Sequence, residues 1–420
     1  MRNNKSLFAN IDWPLVCIYL LMLFFGWLNI YSVNYGEGIH DLMTMSSEPG
    51  KQLFWIGTSF IWILLIIILD GKFYTAFSYP IYILMICLLI GVLIVGKEIG
   101  GAKSWFDLGS FSMQPSEFAK IGALLALSKF LSQLNVNLQK KTTQIKAFLI
   151  IVLPIGLILL QPDAGSAIVF TALLLVLFRE GISSTYLVVS GSAIVLFIIA
   201  LKFETQTTML IVIILSIVLG YLIKKNRQSI KPALIGLILA LGFTQSVDHI
   251  YAEVLRPHQR NRIDLILGKV DDIRGVGYNL HQSKIAIGSG GFLGKGFLGG
   301  TQTKFNFVPE QSTDFIFCTI GEEWGFIGSI ITIGGFSLLL FRLIILAERQ
   351  RSVFSRVFGY GVASILFCHF FINIAMTVGI MPVIGIPLPF FSYGGSSLWG
   401  FSILLFIFVK LDAYRMDILR

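Results

Sequence analysis

Twelve apolar runs divide the chain, at 14–32, 52–69, 73–95, 118–134, 147–160, 164–178, 183–202, 208–223, 232–247, 315–341, 357–380 and 397–411. Runs of this length match a bilayer's hydrocarbon core of about 30 Å. Lipid offers no partner for a backbone N–H or C=O, so such runs span as helices that satisfy their own hydrogen bonds. Composition agrees, because 55% of the 420 residues are hydrophobic and only 13% are charged, about half the charge of an ordinary soluble domain. The expectation is an all-α, polytopic inner-membrane helical bundle of about twelve transmembrane segments. The first run follows Arg2 and Lys5. It is long for a signal sequence, has no clear cleavage site and is followed by further spans, so it reads as a retained first helix.

A net charge of +9 raises nucleic acid as a partner, but most positive residues lie between apolar runs, which argues against it. They set orientation instead. If all twelve runs cross, Arg2/Lys5, Lys140/Lys141/Lys146, Lys224/Lys225/Arg227/Lys231, Arg342/Arg349/Arg351/Arg356 and Lys410/Arg415/Arg420 share one side. That side is then cytoplasmic and holds both termini. The other side receives 96–117, 381–396 and a stretch of about sixty residues, 248–314. A connection that long without elements of its own is usually functional. The chain reads as one membrane domain, 1–420, with 248–314 as its large extracytoplasmic loop. Cys17, Cys87, Cys318 and Cys368 fall in or near apolar runs without metal-ligand spacing, and read as small buried hydrophobes.

Within the loop, SGGFLGKG (Ser289 to Gly296) imitates a phosphate-binding P-loop but has the wrong residue at both ends. GKGFLG (Gly294 to Gly299) matches G-x-G-x-x-G without the strand and helix that a dinucleotide site needs. More telling is charge: Arg256, Arg260, Arg262, Lys269, Arg274, Lys284, Lys295 and Lys304 surround only three acids, Asp264, Asp271 and Asp272. Such a surface suits an anionic, lipid-borne substrate such as a pyrophosphate; a solvated structural loop is the alternative. Among the apolar runs, Glu117 and Lys120 stand at i, i+3, the spacing of a pair on one helix face. Asp163, Glu322 and Glu323 are further ionisable residues at or inside spans, where functional and helix-locking roles compete. GIPLPFFSYGGSS (Gly385 to Ser397) breaks a helix near membrane depth and reads as a re-entrant or cavity-lining support.

Seven motifs follow one another in a familiar order: GAKSWFDLG with FSMQPSEFAKI, QPDAGSA, HQRNRI, DIRGVGYNLHQSKIAIGSGG, GKGFLGGTQT, FVPEQSTDFIF with GEEWG, and GIPLPFFSYGGSS. Together they resemble the SEDS family of RodA and FtsW proteins over nearly the whole chain except about 180–250. QSKIAIGSGG followed by GGTQT is similar to the elongation branch, RodA. The resemblance implies a peptidoglycan glycosyltransferase that polymerises lipid II at the outer face of the cytoplasmic membrane. It also implies a class B penicillin-binding protein and the elongation machinery as partners. The family's catalytic aspartate maps to Asp272, before G-V-G-Y. Departures are Ile273 where proline is common, Gly268 where relatives carry an earlier aspartate, Asp271 as an added neighbour, and Ser312 where His or Asn is common. Relatives usually have ten spans, which places an extra pair within 183–247.

On this reading Asp272 is the base, with Asp271 as the alternative. Arg260, Arg262 and Lys284 face the leaving pyrophosphate, and Gln282, Ser283, Glu117, Lys120, Lys103 and Trp105 contribute to substrate binding. Trp105 also fits an ordinary interfacial belt. The motifs assign no cofactor and leave the metal requirement open; Asp271 and Asp272 could hold a divalent cation, Mg or Mn, against the pyrophosphate. Two rivals are a lipid II flippase and a scaffold that only recruits the penicillin-binding protein.

Overall fold

The computed structural model describes residues 10–35, 43–99, 101–107, 109, 111–203, 205–225, 231–249, 251, 253, 257–267, 269, 277–305 and 307–415. Contacts gather the chain into two compact units, Met1–Ile182 with Asn279–Arg420, and Ser183–Tyr278.

The larger unit begins with α1 (Trp13–Asn34), α2 (Glu48–Ile68), α3 (Gly71–Ala76) and α4 (Ser78–Val95). A small antiparallel sheet, β1 (Lys97–Ile99), β2 (Ala102–Asp107) and β3 (Ser112–Met113), leads into α5 (Pro115–Leu131), α6 (Lys141–Leu160), α7 (Ala164–Phe170) and α8 (Leu173–Arg179). The smaller unit holds α9 (Thr185–Lys202), α10 (Thr205–Lys225), α11 (Lys231–His249) and α12 (Pro257–Ile266). The chain then returns through α13 (Tyr278–Ser289) to α14 (Ile316–Glu323), α15 (Gly325–Glu348), α16 (Val353–Val378) and α17 (Gly395–Tyr414).

Local chemistry starts and stops these helices. Asp12 caps α1, its Oδ1 accepting the Leu15 N–H at 3.1 Å, and Ser47 caps α2 through Gly50; both helices carry proline in the first turn, where a missing N–H costs nothing. Gly379 ends α16 at φ +87°, a conformation glycine adopts without strain.

Each of the twelve expected apolar runs is helical over most of its length. Among the described residues, eight helices are long and apolar enough to cross a membrane: α1, α2, α4, α6, α9, α15, α16 and α17. Shorter apolar stretches lie at Ala164–Arg179, Thr205–Ile217 and Leu234–Val247. Contiguous exposed apolar side chains, such as Ile83, Leu84, Ile90, Ile94 and Val95 along α4, are what a helix facing lipid presents. By contrast α5 is almost wholly buried, against α4, α6, α16 and α17. It forms the centre of the larger unit.

Four expectations need correction. Cys17 and Cys87, read as buried, are exposed on the apolar helices α1 and α4. The run 315–341 is not one span: it breaks at Trp324 and Gly325, where Gly325 has φ +62° and an added Cβ would lie 2.3 Å from the Gly294 nitrogen. The run at 164–178 is interrupted between α7 and α8, which are joined at Thr171 and Ala172. The stretch 248–314 is not without elements, since α12 and α13 lie in it. The sheet within 97–113 is an addition, too short and irregular to show as a period in the sequence.

Away from the sheet, the larger unit is tied by ions. Arg342 bonds Asp12 at 3.1 and 2.7 Å, and Asp412 accepts from Arg349, from Gln350 at 2.6 Å and from Arg415 at 3.3 Å. Two orientation-setting arginines, Arg342 and Arg349, thus also join α15 to α1 and to α17. Arg356 does the same between α16 and Glu180, at 2.9 Å.

Candidate active site

Proline at 115 starts α5 because its fixed φ suits a first helical position. The start of this helix interlocks with the α6–α7 junction. Gln114 Nε2 donates to Asp163 Oδ2 at 2.9 Å, and Ser116 Oγ to Ser166 Oγ at 3.2 Å. Asp163 caps α7, accepting the Ser166 N–H at 2.9 Å and the Ser166 hydroxyl at 2.8 Å. The structural role for Asp163 is therefore satisfied by its own contacts. Gly165 lets α7 approach the α16–α17 connection, where an added Cβ would meet the Ile384 carbonyl at 2.5 Å.

One turn into α5, Lys120 Nζ lies 2.8 Å from Glu117 Oε2, with both side chains almost fully buried. The same ammonium lies 2.8 Å from His369 Nε2 on α16 and 4.9 Å above the Phe401 ring on α17. An ammonium only donates, so His369 Nε2 must accept. The network therefore assigns the proton to Nδ1, which faces the Pro387 carbonyl at 3.4 Å. Gly400 makes room: a Cβ there would stand 3.3 Å from the Glu117 carbonyl oxygen and 3.5 Å from its Oε2. The i, i+3 spacing anticipates the Glu–Lys pair. It does not anticipate His369, whose available signal is an isolated imidazole in the otherwise apolar span SILFCHFFI.

The α16–α17 connection has its backbone satisfied by protein, as a non-helical stretch at membrane depth requires. Asn373 Nδ2 donates to the Asp314 and Ile386 carbonyls at 2.8 and 2.7 Å. Tyr393 N donates to the Ser312 carbonyl at 2.8 Å, and Gly394 N to Gln52 Oε1 at 3.2 Å. Ser312 thus contributes its carbonyl oxygen, an interaction indifferent to which side chain stands there.

Further on, α13 docks on the end of α16. Ser283 is fully buried and donates to the Thr377 carbonyl at 3.0 Å. Lys284 is exposed and lies across Gly379, where an added Cβ would come 2.3 Å from its Cε. Gln282 is half-buried. His369 lies eight residues before Thr377, roughly 12 Å along the helix at 1.5 Å per residue.

The glycine-rich loop has another purpose. Glu322, fully buried, accepts from Lys295 Nζ at 2.6 Å, from the N–H groups of Thr301, Gln302 and Thr303 at 2.8, 2.8 and 2.9 Å, and from the Thr303 hydroxyl at 2.9 Å. Gly294, at φ +81°, lies so close to Glu323 that a Cβ would be 2.1 Å from its carbonyl oxygen. GKGFLGGTQT therefore wraps a carboxylate of its own chain. Glu323 bonds Ser32 on α1.

Lys103 donates to the Leu93 and Ile94 carbonyls at the end of α4, at 3.0 and 3.1 Å, and Trp105 is half-buried on β2. Arg260 and Arg262 lie on α12 in the smaller unit. Asp271 and Asp272 fall outside the described residues, so the expected base and the expected metal pair have no described geometry. Among the described residues, no three His, Cys, Asp or Glu side chains gather to hold a metal.

A family model described as cell cycle protein, covering the FtsW, RodA and SpoVE proteins, matches residues 13–205 and 179–417. The chain belongs to this family. It is 33% identical to the peptidoglycan glycosyltransferase RodA of Treponema pallidum (strain Nichols), over 97% of this chain and 99% of that one. It is also 33% identical to the peptidoglycan glycosyltransferase MrdB of Escherichia coli (strain K12), over 94% of this chain and 92% of the other. Its fold is similar to a chain of a peptidoglycan synthase complex solved to show how polymerization and crosslinking are coordinated, with TM-score 0.70, 29% identity, and 96% and 98% of the two chains covered. An aspartate-to-alanine variant of the rod shape determining protein RodA of Thermus thermophilus is similar with TM-score 0.63 and 26% identity, over 96% and 98% of the chains. The chain is thus a multi-pass, RodA-like helical membrane protein.

Proposed function

We propose that this chain is a peptidoglycan glycosyltransferase that polymerises lipid II at the outer face of the bacterial cytoplasmic membrane, for cell elongation and shape. The observation that carries this reading is its likeness, over more than nine-tenths of both chains, to two peptidoglycan glycosyltransferases. Both termini are cytoplasmic in this reading, 248–314 faces outward, and a class B penicillin-binding protein supplies the crosslinking partner.

In the reaction, the 4-hydroxyl of one lipid II sugar attacks the anomeric carbon of the growing chain's terminal sugar. The C–O bond to undecaprenyl pyrophosphate breaks with inversion. Asp272 takes the hydroxyl proton, and a positioned base of this kind is worth about 10²–10⁴-fold. Positive charge aimed at the departing pyrophosphate lowers the barrier as that charge develops, the task of Arg260, Arg262 and Lys284. The exposed Lys284, on a helix anchored by Ser283 with Gln282 beside it, suits contact with a soluble headgroup. Lys120 suits it less directly, because Glu117 and His369 already receive its ammonium. The Glu117–Lys120 pair contributes by holding α5 to α16 and α17. Lys103 supports the α4–β2 corner, and Trp105 shapes the groove beside it.

The test is polymerisation of lipid II by the purified chain with its cognate penicillin-binding protein. Wild type and Asp271→Ala should make polymer, while Asp272→Ala should lose at least about 10²-fold yet still bind the partner. Loss confined to Asp271→Ala would move the base by one residue. EDTA separates a metal held by Asp271 and Asp272 from direct lysine and arginine contacts. Lipid II transport across vesicles with no polymer from wild type would replace this reading with a flippase.

A further inference from the structure

The smaller unit carries a cavity lined by none of the residues given a role in the reaction above. Where α9 ends and α10 begins, a half-open cavity of about 250 Å³ is lined by Leu201, Lys202, Phe203, Thr205, Tyr251 and Lys269. Two of its lining residues, Ala200 and Leu201, belong to a packed cluster with Val247, Phe197, Phe243, Ile263 and Leu267. Ile263 brings α12 against this cluster at the ends of α9 and α11.

The rim is cationic. Lys202 Nζ lies 5.9 Å from the Phe203 ring centre, and Lys269 Nζ lies 5.8 Å from that of Tyr251. Among the described residues, neither ammonium meets a carboxylate. Asp264, the acid of this cluster, instead accepts the Tyr251 hydroxyl.

Depth and shape narrow the ligand. Lys202 is the last residue of a span-length helix, the level at which hydrocarbon gives way to headgroups. Beside it Val195, Ile198, Phe203, Leu210 and Ile214 are exposed along α9 and α10, surface suited to acyl chains. Two lysines and two aromatic rings lining a cavity at this depth match a phosphate that carries hydrocarbon. We propose that this cavity binds the headgroup phosphate of an anionic membrane lipid, with Lys202 and Lys269 on the phosphate and its chains along α9 and α10. Lysine acts here as a strongly hydrated point charge, so the site selects charge and depth before headgroup shape.

Native mass spectrometry of the purified full-length chain, titrated with phosphatidylglycerol or phosphatidylcholine, tests this. Wild type should retain one tightly held phosphatidylglycerol and no comparable phosphatidylcholine. Lys202→Gln/Lys269→Gln should weaken that adduct by about tenfold or more, since two charge-assisted contacts are lost. Lys202→Arg/Lys269→Arg should keep it, and Lys146→Gln, an exposed lysine on α6, should change nothing. Equal adducts in wild type and the glutamine variant, or no tight adduct in wild type, would overturn the proposal. Displacement of the lipid by inorganic phosphate at matching concentrations would also overturn it, leaving a free-phosphate site.

Discussion

At Lys120 one buried ammonium serves Glu117 Oε2 and His369 Nε2, each 2.8 Å away. A buried pair is costly to assemble but costlier to break, because the surviving charge is left without its partner. Glu117→Gln should therefore destabilise the chain by about 3–5 kcal/mol, read as a lower unfolding temperature in detergent. Glu117→Gln/Lys120→Met, which removes both charges, should recover most of that loss. If the double variant is no more stable than the single one, charge burial is not the reason. Tyr251 gives a second test at this scale. Burial, then its hydrogen bond to the Asp264 carboxylate and that group's charge, push its phenol up to about 12. The fold favours the neutral phenol, so its contribution is complete below the unfolded value near 10 and is lost as pH rises through about 12. The phenolate absorbance that Tyr251→Phe removes should titrate near 12; a midpoint near 10 would show that the hydroxyl is not held.

Among elements, the turn between α14 and α15 depends on what glycine lacks. Gly294→Ala would put a Cβ 2.1 Å from the Glu323 carbonyl oxygen at φ +81°, so clash adds to backbone strain. Gly296 has φ +90° with open space around it, and alanine there should cost only the left-handed penalty of about 1–2 kcal/mol. Gly288, inside α13, has open space and ordinary φ; alanine there should be neutral or stabilising by up to about 1 kcal/mol. Unfolding temperatures should therefore rank Gly288→Ala highest, then Gly296→Ala, then Gly294→Ala. The apolar pattern makes α1, α2 and α15 legible because a long run in lipid has few alternatives to helix. It does not show the break at Trp324, because Glu322, Glu323 and Gly325 interrupt the run there without stating that the loop at Gly294, about thirty residues away, packs against them.

Across the molecule, charges near the chain ends bind helices whose connections lie far apart in sequence. Asp412 is 1% exposed and faces Arg349, Gln350 and Arg415. Asp412→Asn should lower stability by about 1.5–3 kcal/mol, the range for hydrogen bonds to charged groups. Asp107→Asn removes only the exposed pair with Lys97, and should leave the unfolding temperature unchanged. Equal effects from both would show that burial does not distinguish these pairs.

Sequence alone determined the helical membrane class, because twelve apolar runs cannot leave their backbone unpaired in lipid. It determined the family through seven ordered motifs, and the Glu117–Lys120 pair through a spacing that one helix makes local. Tertiary structure decided what no local pattern carries. His369 reaches Lys120 from 249 positions away, Glu322 gathers the loop at 295–303, and Asn373 holds two strands of non-helical backbone together. These are contacts between residues remote in sequence, set by packing of whole helices, so the chain lists their members without stating which of them meet.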